Sequence, residues 1–313
     1  MSTARKPRVV APPPSLPVLG PLVIVDGDCA YFPEEQRASK TAFALPGPLT
    51  QAEYRAAMGL GMRRSGTLVY RPLCPGCRRC QPFRVDVARF MPSRSQKRAA
   101  KRCAGRFTID IARPHVDEEH LDLYARYQRF QHGKDGQQSD EESYARFLID
   151  TVADTWELAW RDDAGRLMAV GIIDVVDDGL SSVYFFWDPL LEDLSVGVAS
   201  ALWEIELCRR WNRPYYYLGY LVPGSRTMSY KSQFSGGEVW NGSAWLPVPA
   251  RDLDDEGLQQ TLRAAAAASM VADATHFPLD DEPAEGDEPG EPGEPDEPDE
   301  PGEPDEPDLP RRR

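Results

Sequence analysis

The feature that most constrains this chain is a run of three cysteines, Cys74, Cys77 and Cys80, with two residues between each pair. Three thiols this close together cannot all pair with one another in unstrained disulfides. They can converge on a metal ion or cluster if a fourth ligand comes from elsewhere in the chain, and Cys29 is available. A reduced, metal-free group of packed thiols is the alternative. The flanking side chains that suit an anionic ligand are Tyr70, Arg71, Arg79 and Arg84.

Length and composition indicate a globular chain with hydrophobic cores. Its 313 residues allow about two domains, and 41% of them are hydrophobic. No apolar run reaches the ~18 residues of a membrane-spanning helix. Residues 1–20 contain basic residues and many prolines, but no continuous apolar stretch of the signal-peptide type. We therefore expect a cytoplasmic protein whose cysteines serve thiol or metal chemistry rather than disulfides.

The acidity of the chain is concentrated in its tail. The formal net charge is −14, but residues 280–313 contain 16 Asp or Glu and three Arg, so the remainder is nearly neutral. Within that remainder, residues 84–106 contain eight Lys or Arg and one acid, a basic patch of the kind that contacts phosphates. A helix is predicted from Ser93 to Cys103, and spacings of three and four residues place several cations on one face. These candidate contacts to nucleic-acid phosphates are Arg94, Lys97, Arg98 and Lys101. A solvated helix face is the alternative.

Composition divides the chain into five segments. Residues 1–19 form a Pro-rich head that is predicted to be disordered. Residues 278–313 repeat Glu-Pro-Gly and Asp-Glu-Pro units, which cannot bury apolar surface and are also predicted to be disordered. Between these termini we predict a small N-terminal domain at 20–108 that carries the cysteines and the basic patch. A second domain follows at 109–248, and then a helical segment at 249–277.

The second domain has a legible order of elements. Helices are predicted over 117–130 and from Ser139 to about 154, and three antiparallel runs joined by tight turns follow. A helix over 195–211 comes next, then a strand at 215–218, a short helix and a last strand over 238–245. This order predicts an α+β fold with the layout of a GNAT-type acyltransferase domain.

Short motifs over residues 26–246 occur in the order found in one family of transferases. They are CAYFP (29–33), MRRSG (62–66), YRP (70–72) before the three cysteines, RSQKR (94–98), LSSVY (180–184), WDP (187–189), YLGY (217–220), and MSYK (228–231) followed by Phe234. In these motifs the chain resembles the arginyl-tRNA–protein transferase superfamily, and most closely its bacterial branch, the aspartate/glutamate leucyltransferases. One departure is LSVG at 194–197, where family members often carry RSLG.

The resemblance implies an activity and its partners. The expected reaction transfers leucine from Leu-tRNA to the N-terminal α-amine of proteins that begin with Asp or Glu, which marks them for degradation in the N-degron pathway. Arginine as the transferred residue is the runner-up. The expected partners are aminoacyl-tRNA and acidic protein N-termini, with no membrane, and the oligomeric state is left open.

An acidic N-terminal side chain needs a cation in the acceptor site, and arginine forks match carboxylates. The candidates are Arg63, Arg64 and Arg71, with Tyr70 beside them. Surface arginines near a turn are the alternative interpretation.

The implied chemistry requires positioning more than a covalent intermediate, because the aminoacyl ester is already activated. Asp188 is a candidate for binding an ammonium group or orienting the tRNA end, although a turn or capping Asp is equally consistent with its position. Tyr220, Tyr230 and Lys231 would flank the 3′ end of the tRNA, unless the tyrosines belong to the core. Gly219 would allow a close backbone approach. We therefore predict catalytic roles for Asp188, Tyr220 and Lys231, with Gly219 and Tyr230 in substrate binding.

No cofactor is expected to be required for the transfer itself. The resemblance implies an iron–sulfur site at the N-terminal cysteines of some relatives, whereas spacing alone fits structural zinc through Cys29, Cys74, Cys77 and Cys80 equally well. The four histidines show no ligand spacing; they are His115, His120, His132 and His276.

Two other function classes compete with this interpretation. A CoA-dependent N-acetyltransferase is less favoured, since residues 191–197 carry two acids and lack a basic, Gly-rich pyrophosphate cradle. A non-enzymatic, metal-binding RNA-interaction protein would explain the cysteines and the basic patch but not the acyltransferase-like order of elements.

Overall fold

The computed structural model describes residues 7–35, 38–133, 140–225 and 227–248, together with 257 and 260. The predicted segment 249–277, apart from those two residues, and the acidic tail 278–313 lie outside this range. The described chain is a mixture of helices and two sheets, which confirms the α+β class. None of its helices in these ranges is long and apolar enough to cross a membrane.

The Pro-rich head is ordered from Arg8 onward, so the prediction of disorder over 1–19 is wrong for this part. Strand β1 (Arg8–Val10) pairs antiparallel with β2 (Leu22–Asp28). Between the strands, Leu16 and Leu19 are buried, the latter in a 3-10 turn. Apolar burial and strand pairing outweigh the Pro-rich composition here, because proline is compatible with extended and turn conformations.

The first sheet has five antiparallel strands in the order β1-β2-β3-β5-β4. The other three strands are β3 (Ala38–Ala44), β4 (Arg63–Ser65) and β5 (Leu68–Pro72). Helix α1 (Gln51–Gly59) connects β3 to β4 and begins at a capping box formed by Thr50 and Glu53.

The second sheet has eight strands in the order β13-β12-β6-β11-β10-β9-β8-β7. Their bounds are β6 (Gln81–Asp86), β7 (Thr108–Ala112), β8 (Asp154–Arg161), β9 (Leu167–Val176), β10 (Gly179–Trp187), β11 (Tyr215–Leu221), β12 (Gly237–Trp240) and β13 (Trp245–Pro247). The meander β8–β9–β10 is confirmed. Strand β6 comes from the N-terminal side of the predicted boundary at 108, yet it lies in this sheet between β12 and β11.

The predicted last strand over 238–245 is instead the hairpin β12–β13. The Asn241 side chain accepts hydrogen bonds from the backbone N–H groups of Ser243 and Ala244, which turns the chain after Trp240. Local side-chain hydrogen bonding of this kind competes with continuation of a strand.

Four further helices complete the described fold. They are α2 (Arg94–Cys103), α3 (Glu118–His132), α4 (Glu141–Tyr144), which continues into a π-helical turn (Ala145–Ile149), and α5 (Val196–Arg210). Ser93 and Gln96 form a capping box on α2, and Asp117 caps α3. The predicted cap Ser139 lies outside the described residues, and the observed cap of α4 is Asp140.

The core lies on both faces of the second sheet. Every residue of β9 is buried, which explains why it is apolar except for Asp174. On one face, Leu158 and Ile173 pack with Ile205 and Cys208 of α5. On the other face, residues of α3 and Tyr144 pack against Ala159 and Val170. Alternate strand residues therefore serve two separate hydrophobic clusters.

Strands β10 and β11 run parallel and pair at three positions, from Gly179 with Tyr215 to Ser181 with Tyr217. Both strands continue beyond this region, β10 to Trp187 and β11 to Leu221. The two strands line a common cavity beyond their paired positions, and this cavity is the centre of the candidate site.

Candidate functional site

A cavity of about 660 Å³ lies between β10 and β11 and the start of α5. Seven of the residues predicted for the substrate or catalytic site line it: Arg63, Arg64, Tyr70, Gly219, Tyr220, Tyr230 and Lys231. They come from both sheets and from the 3-10 turn Ser229–Gln233. The tertiary structure thus brings together residues that are up to 168 positions apart in the chain.

Lys231 is a buried amine held by backbone oxygen. Its Nζ donates a hydrogen bond of 2.8 Å to the carbonyl oxygen of Tyr220 and lies 3.1 Å from Sδ of Met228. Burial, and then the nearby positive charge of Arg63, lowers the pKa of Lys231 to about 7. An amine with this pKa exchanges protons readily at physiological pH.

Gly219 makes this arrangement possible. Its φ of +73° lies in the left-handed region, and a Cβ built there would stand 3.5 Å from Nζ of Lys231. A side chain at this position would strain the backbone, although its Cβ would stand at an ordinary contact distance from the amine. The predicted close backbone approach at Gly219 therefore concerns the protein's own lysine in this structure.

Arg63 is the arginine in the cavity whose fork is incompletely used. Its guanidinium donates to the carbonyl oxygens of Met62 at 2.6 Å and Gly219 at 3.3 Å, and stands 5.5 Å from the centre of the Tyr220 ring. Its Nε is buried with no hydrogen-bond partner among the described residues. A buried, under-satisfied guanidinium beside a cavity can accept a carboxylate.

Arg64, by contrast, is engaged inside the protein. It makes two hydrogen bonds of 2.7 Å to the two carboxylate oxygens of Asp174 and a third of 3.1 Å to Thr155. Both charged side chains of the pair are fully buried. Its contacts are those of a residue that positions the wall of the cavity beside Arg63.

Two predicted site residues lie away from the cavity lining. Asp188 caps the 3-10 turn Pro189–Leu194 and forms an ion pair of 2.9 Å with Arg126. Burial lowers the pKa of Arg71, whose side chain lies beside Gly61. Among the described residues, neither side chain is part of the cavity surface.

Glu204 is a cavity residue that the sequence analysis missed. It is buried on α5 and accepts hydrogen bonds from Ser200 at 2.8 Å and from the Tyr216 hydroxyl at 2.9 Å. Burial raises its pKa to about 7, although these hydrogen bonds oppose the shift. The signal was present in the sequence, since a single acid interrupts the apolar segment from Val196 to Ile205.

Aromatic side chains form much of the remaining wall. They include Tyr31, Tyr127 of α3, and Tyr184, Phe185 and Trp187 of β10. Sequence analysis missed these residues as well, because aromatic residues in strands and helices are typical of a core. The cavity therefore combines an apolar wall with one buried acid and two buried cations near Tyr220.

The basic helix α2 stands beside the rim of this cavity. Arg94, Lys97, Arg98 and Lys101 are all exposed, whereas Gln96, Ala99 and Cys103 are buried. Arg102 donates to Oγ of Ser195 at 2.7 Å, and Ser195 lines the cavity at the start of α5. The exposed cations thus form one continuous face on a helix that contacts the rim.

The four candidate ligand cysteines come from two segments of the N-terminal region, Cys29 from one and Cys74, Cys77 and Cys80 from the other. Burial, and then the proximity of Cys74, Cys77 and Cys29, raises the pKa of Cys80 to about 12. Cys29 and Cys80 also pack beside Phe32 and Tyr220. Within the described residues, however, the group of three potential metal ligands within 4.8 Å is formed by His115, His120 and Glu157, so the four sulfur atoms are more widely spaced.

Comparison with known proteins assigns these features to one family. The N-terminal region of arginine-tRNA-protein transferases matches residues 27–98, and their C-terminal region matches residues 119–241. The chain is 42% identical over 225 residues to the aspartate/glutamate leucyltransferase of Thiobacillus denitrificans, covering 71% of this chain and 92% of that protein. The chain belongs to the arginine-tRNA-protein transferase family.

Other members of the family agree with this assignment. The aspartate/glutamate leucyltransferase of Nitrosococcus oceani is 40% identical over 223 residues, which cover 69% of this chain and 91% of that protein. A Pseudomonas putida protein of the same name is 37% identical over 70% of this chain and 93% of its own length. Among solved structures, FemX covers 83% of this chain and 91% of its own, but a TM-score of 0.39 and 9% identity make this likeness too distant to support a conclusion.

Proposed function

We propose that this protein transfers leucine from Leu-tRNA to the N-terminal α-amine of proteins that begin with Asp or Glu. The observation that carries the proposal is the cavity in which Arg63 and Lys231 lie beside an apolar aromatic wall. The names of the relatives, aspartate/glutamate leucyltransferase, support the same donor and acceptors. Marking of the acceptor for degradation in the cytoplasm is part of this proposal.

The architecture proposed for the catalytic part is GNAT-like. Its support is the parallel pair β10–β11, which is joined at three positions and lines the cavity beyond them, with α5 on one face of the sheet and α3 on the other. Where two parallel strands diverge, their backbone groups no longer pair with each other and can face a substrate in the cavity between them. The first sheet and the cysteines would form the smaller domain.

In the proposed reaction, the acceptor's amine nitrogen attacks the carbonyl carbon of the leucyl ester. A C–N bond forms, the ester C–O bond breaks, and the proton lost from the amine ends on the ribose hydroxyl of the tRNA. Lys231, with a pKa of about 7, can accept the amine proton as a neutral base and return it to the leaving oxygen. No covalent enzyme intermediate is needed.

Arg63 would recognise the acidic side chain of the acceptor. Arg63 lines the cavity close enough to Lys231 to lower the pKa of that lysine, and its Nε has no partner among the described residues, so a carboxylate bound there would stand beside the base. Because a fork paired with a carboxylate gives directional bonds, Arg63 would also orient the α-amine for attack. Arg64 would hold the wall through Asp174 rather than touch the acceptor.

The donor would occupy the apolar part of the cavity. Phe185, Trp187 and Val198 offer surface for a leucine side chain, and the Glu204 carboxylate suits the ammonium group of the leucyl ester. The N–H groups at the start of α5 would face the tRNA 3′ end. The exposed cations of α2 would then contact the acceptor arm of the tRNA outside the cavity. Arg102 of the same helix is hydrogen-bonded to Ser195 at the rim.

Arginine as the donor is the second candidate, favoured by the buried acid Glu204, which a guanidinium could also reach. The assay that separates the candidates uses purified Leu-tRNA and Arg-tRNA with peptides that begin with Asp, Glu, Ala or Lys. We expect leucine on the Asp and Glu peptides only. Transfer of arginine alone would contradict the donor, and equal transfer to the Ala peptide would contradict the acceptor.

A structural zinc ion or iron–sulfur cluster at Cys29, Cys74, Cys77 and Cys80 remains a separate proposal. The donor chemistry fits, since the four thiols lie in one region. Burial, and then the proximity of the other three thiols, raises the pKa of Cys80. A bound metal would stabilise the deprotonated thiolates there, and no step of the transfer depends on it.

A further inference from the structure

A second group of ligand-type side chains lies at the first turn of α3, outside the cavity. His115, His120 and Glu157 each direct a nitrogen or carboxylate oxygen to one point, and these atoms all lie within 4.8 Å of one another. His120 and Glu157 are buried, whereas the side chain of His115 is 51% exposed and opens the group to solvent. None of the three lines the cavity. This group is called the α3 cluster below.

Two distances in the α3 cluster are close to those between ligands of a small tetrahedral ion. Oε1 of Glu157 is 3.0 Å from Nε2 of His120 and 3.6 Å from Nδ1 of His115. Two ligands held at the usual zinc distances are about 3.3 Å apart, which falls between these values. On the other side of its ring, Nδ1 of His120 is 2.7 Å from Oδ1 of Asp117. Carboxylates bonded in this way orient metal-ligating histidines.

Two unpaired polar atoms mark the same place. Oε2 of Glu157 and the hydroxyl of Tyr144 are both buried with no hydrogen-bond partner among the described residues. The Tyr144 ring packs edge-on against His120, with centroids 6.4 Å apart. Buried polar atoms are nearly always paired, so an unpaired carboxylate oxygen beside two imidazoles indicates an absent ligand.

We propose that His115, His120 and Glu157 bind a divalent transition-metal ion, best matched by Zn²⁺, with Asp117 orienting the His120 ring. Two imidazoles and one carboxylate favour zinc over magnesium or calcium, which prefer all-oxygen sites. The rival arrangement is a protonated His120 held between Asp117 and Glu157 without metal. That arrangement leaves Oε2 of Glu157 unpaired, whereas a metal ion bound by both carboxylate oxygens of Glu157 would contact it.

The ion would connect the first turn of α3 to β8. His120, Tyr124 and Tyr127 follow one face of α3, and Tyr127 lines the cavity. Zinc at the α3 cluster would therefore hold a helix that forms part of the substrate cavity, while leaving the chemistry to other residues. This inference does not depend on which amino acid is transferred.

The test is a zinc titration of metal-depleted full-length protein against a competing fluorescent chelator, with zinc content measured after desalting. His115→Ala is the principal variant, because its exposed side chain can be removed without opening the core. His132→Ala is the matched control, since its backbone lies twelve residues beyond His120, about 18 Å along α3. All six cysteines stay in place in every protein, so zinc at the cysteine cluster contributes equally.

We expect wild type and His132→Ala to retain one more zinc per chain than His115→Ala. Asp117→Asn should weaken this zinc by about 10–100-fold. Glu157→Gln, which keeps the shape of the buried side chain, should also lose it while the far-ultraviolet circular dichroism is unchanged. With Co²⁺, the difference spectrum between wild type and His115→Ala should lack the charge-transfer band of a thiolate ligand. Equal zinc content and affinity in wild type and His115→Ala, or a thiolate band in that difference spectrum, would overturn the proposal.

Discussion

Two ionisable side chains in the cavity have pKa values moved towards neutrality from opposite directions. Burial lowers the pKa of Lys231 and raises that of Glu204, both to about 7. Each group therefore loses part of its charge at physiological pH, where the proposed transfer needs a neutral base. Since burial disfavours the charged form of either group, the same environment that tunes the cavity also costs folding stability.

Replacement of Lys231 should separate its effect on catalysis from its effect on folding stability. Lys231→Met should reduce kcat/KM for leucine transfer by about 10²–10⁴-fold, the usual contribution of a positioned base. The pKa of Lys231 is about 7 when folded and lies near 10.4 when unfolded, so its stabilising contribution is present at high pH and is lost as pH falls through this window. The unfolding free energy of wild type relative to Lys231→Met should therefore rise between pH 7 and pH 10.

The measurements are transfer kinetics and urea unfolding at several pH values. Arg166→Met is the control, because its side chain is 71% exposed and lies outside the cavity lining. Full transfer activity in Lys231→Met would rule out Lys231 as the base in the reaction.

The neighbouring arginines should differ in what they affect. Arg63→Gln should lower kcat/KM for peptides beginning with Asp or Glu by about tenfold or more, because the acidic side chain loses its fork. Arg64→Gln should instead lower stability by about 3–5 kcal/mol, since it leaves the buried Asp174 carboxylate unpaired. Acceptor-peptide kinetics and thermal unfolding of both variants check this prediction. An Arg63 variant that keeps its preference for Asp over Ala peptides would contradict it.

At the scale of elements, helix α2 divides into a buried and a charged face. Gln96, Ala99 and Cys103 face the protein, which leaves the lysines and arginines between them exposed. The helix is tied to the cavity rim through Arg102 and Ser195. Exposed cations on one face are available for a polyanion, so α2 is the element best placed to bind tRNA outside the cavity.

Removal of the charged face should change the salt dependence of tRNA binding. The variant replaces Arg94, Lys97, Arg98 and Lys101 by Ala. Its tRNA affinity should fall, and the slope of log K against log salt should become shallower by about one for each phosphate that the helix no longer neutralises. The control replaces three exposed arginines elsewhere, Arg146, Arg166 and Arg210. An equal change of slope in both variants would mean that general charge, rather than α2, determines binding.

For the whole molecule, the cavity depends on contact between the two sheets. Arg63 and Tyr70 come from the first sheet, while Gly219 and Tyr220 come from the second. The Tyr220 hydroxyl donates at 2.8 Å to the carbonyl oxygen of Gly61, which joins the two parts directly. The cysteine cluster borders this junction, because Cys29 and Cys80 pack beside Tyr220. Metal at the cysteines would therefore stabilise the junction as well as the N-terminal region.

Removal of one thiol of the cysteine cluster should lower both the metal content and the stability of the protein. Protein purified without air should contain zinc or iron, and Cys77→Ser should lose it and unfold at a lower temperature. Cys103→Ser and Cys208→Ala are the controls, since these two cysteines are buried elsewhere. Metal analysis and thermal unfolding under anaerobic conditions provide the readouts. Anaerobic protein without metal that still transfers leucine at full rate would show that the cluster is a set of packed thiols.

The sequence by itself determined the local elements and the family. The helix from Ser93 to Cys103, the three antiparallel runs of the meander and the basic face of α2 are local patterns, so they could be identified before the structure. The ordered motifs were sufficient for the family assignment, because several short matches in one order are far more specific than any single match.

Tertiary structure alone decided which of the candidate residues meet. Arg63 and Arg64 are adjacent in the chain and both line the cavity, but Arg64 pairs with Asp174, 110 residues away, while Nε of Arg63 has no partner among the described residues. His120 and Glu157 resemble ordinary helix and strand residues in the sequence, since neither burial nor partners can be deduced from local spacing. The cavity itself exists because two parallel strands separate, and strand separation depends on packing between distant segments rather than on the residues of either strand.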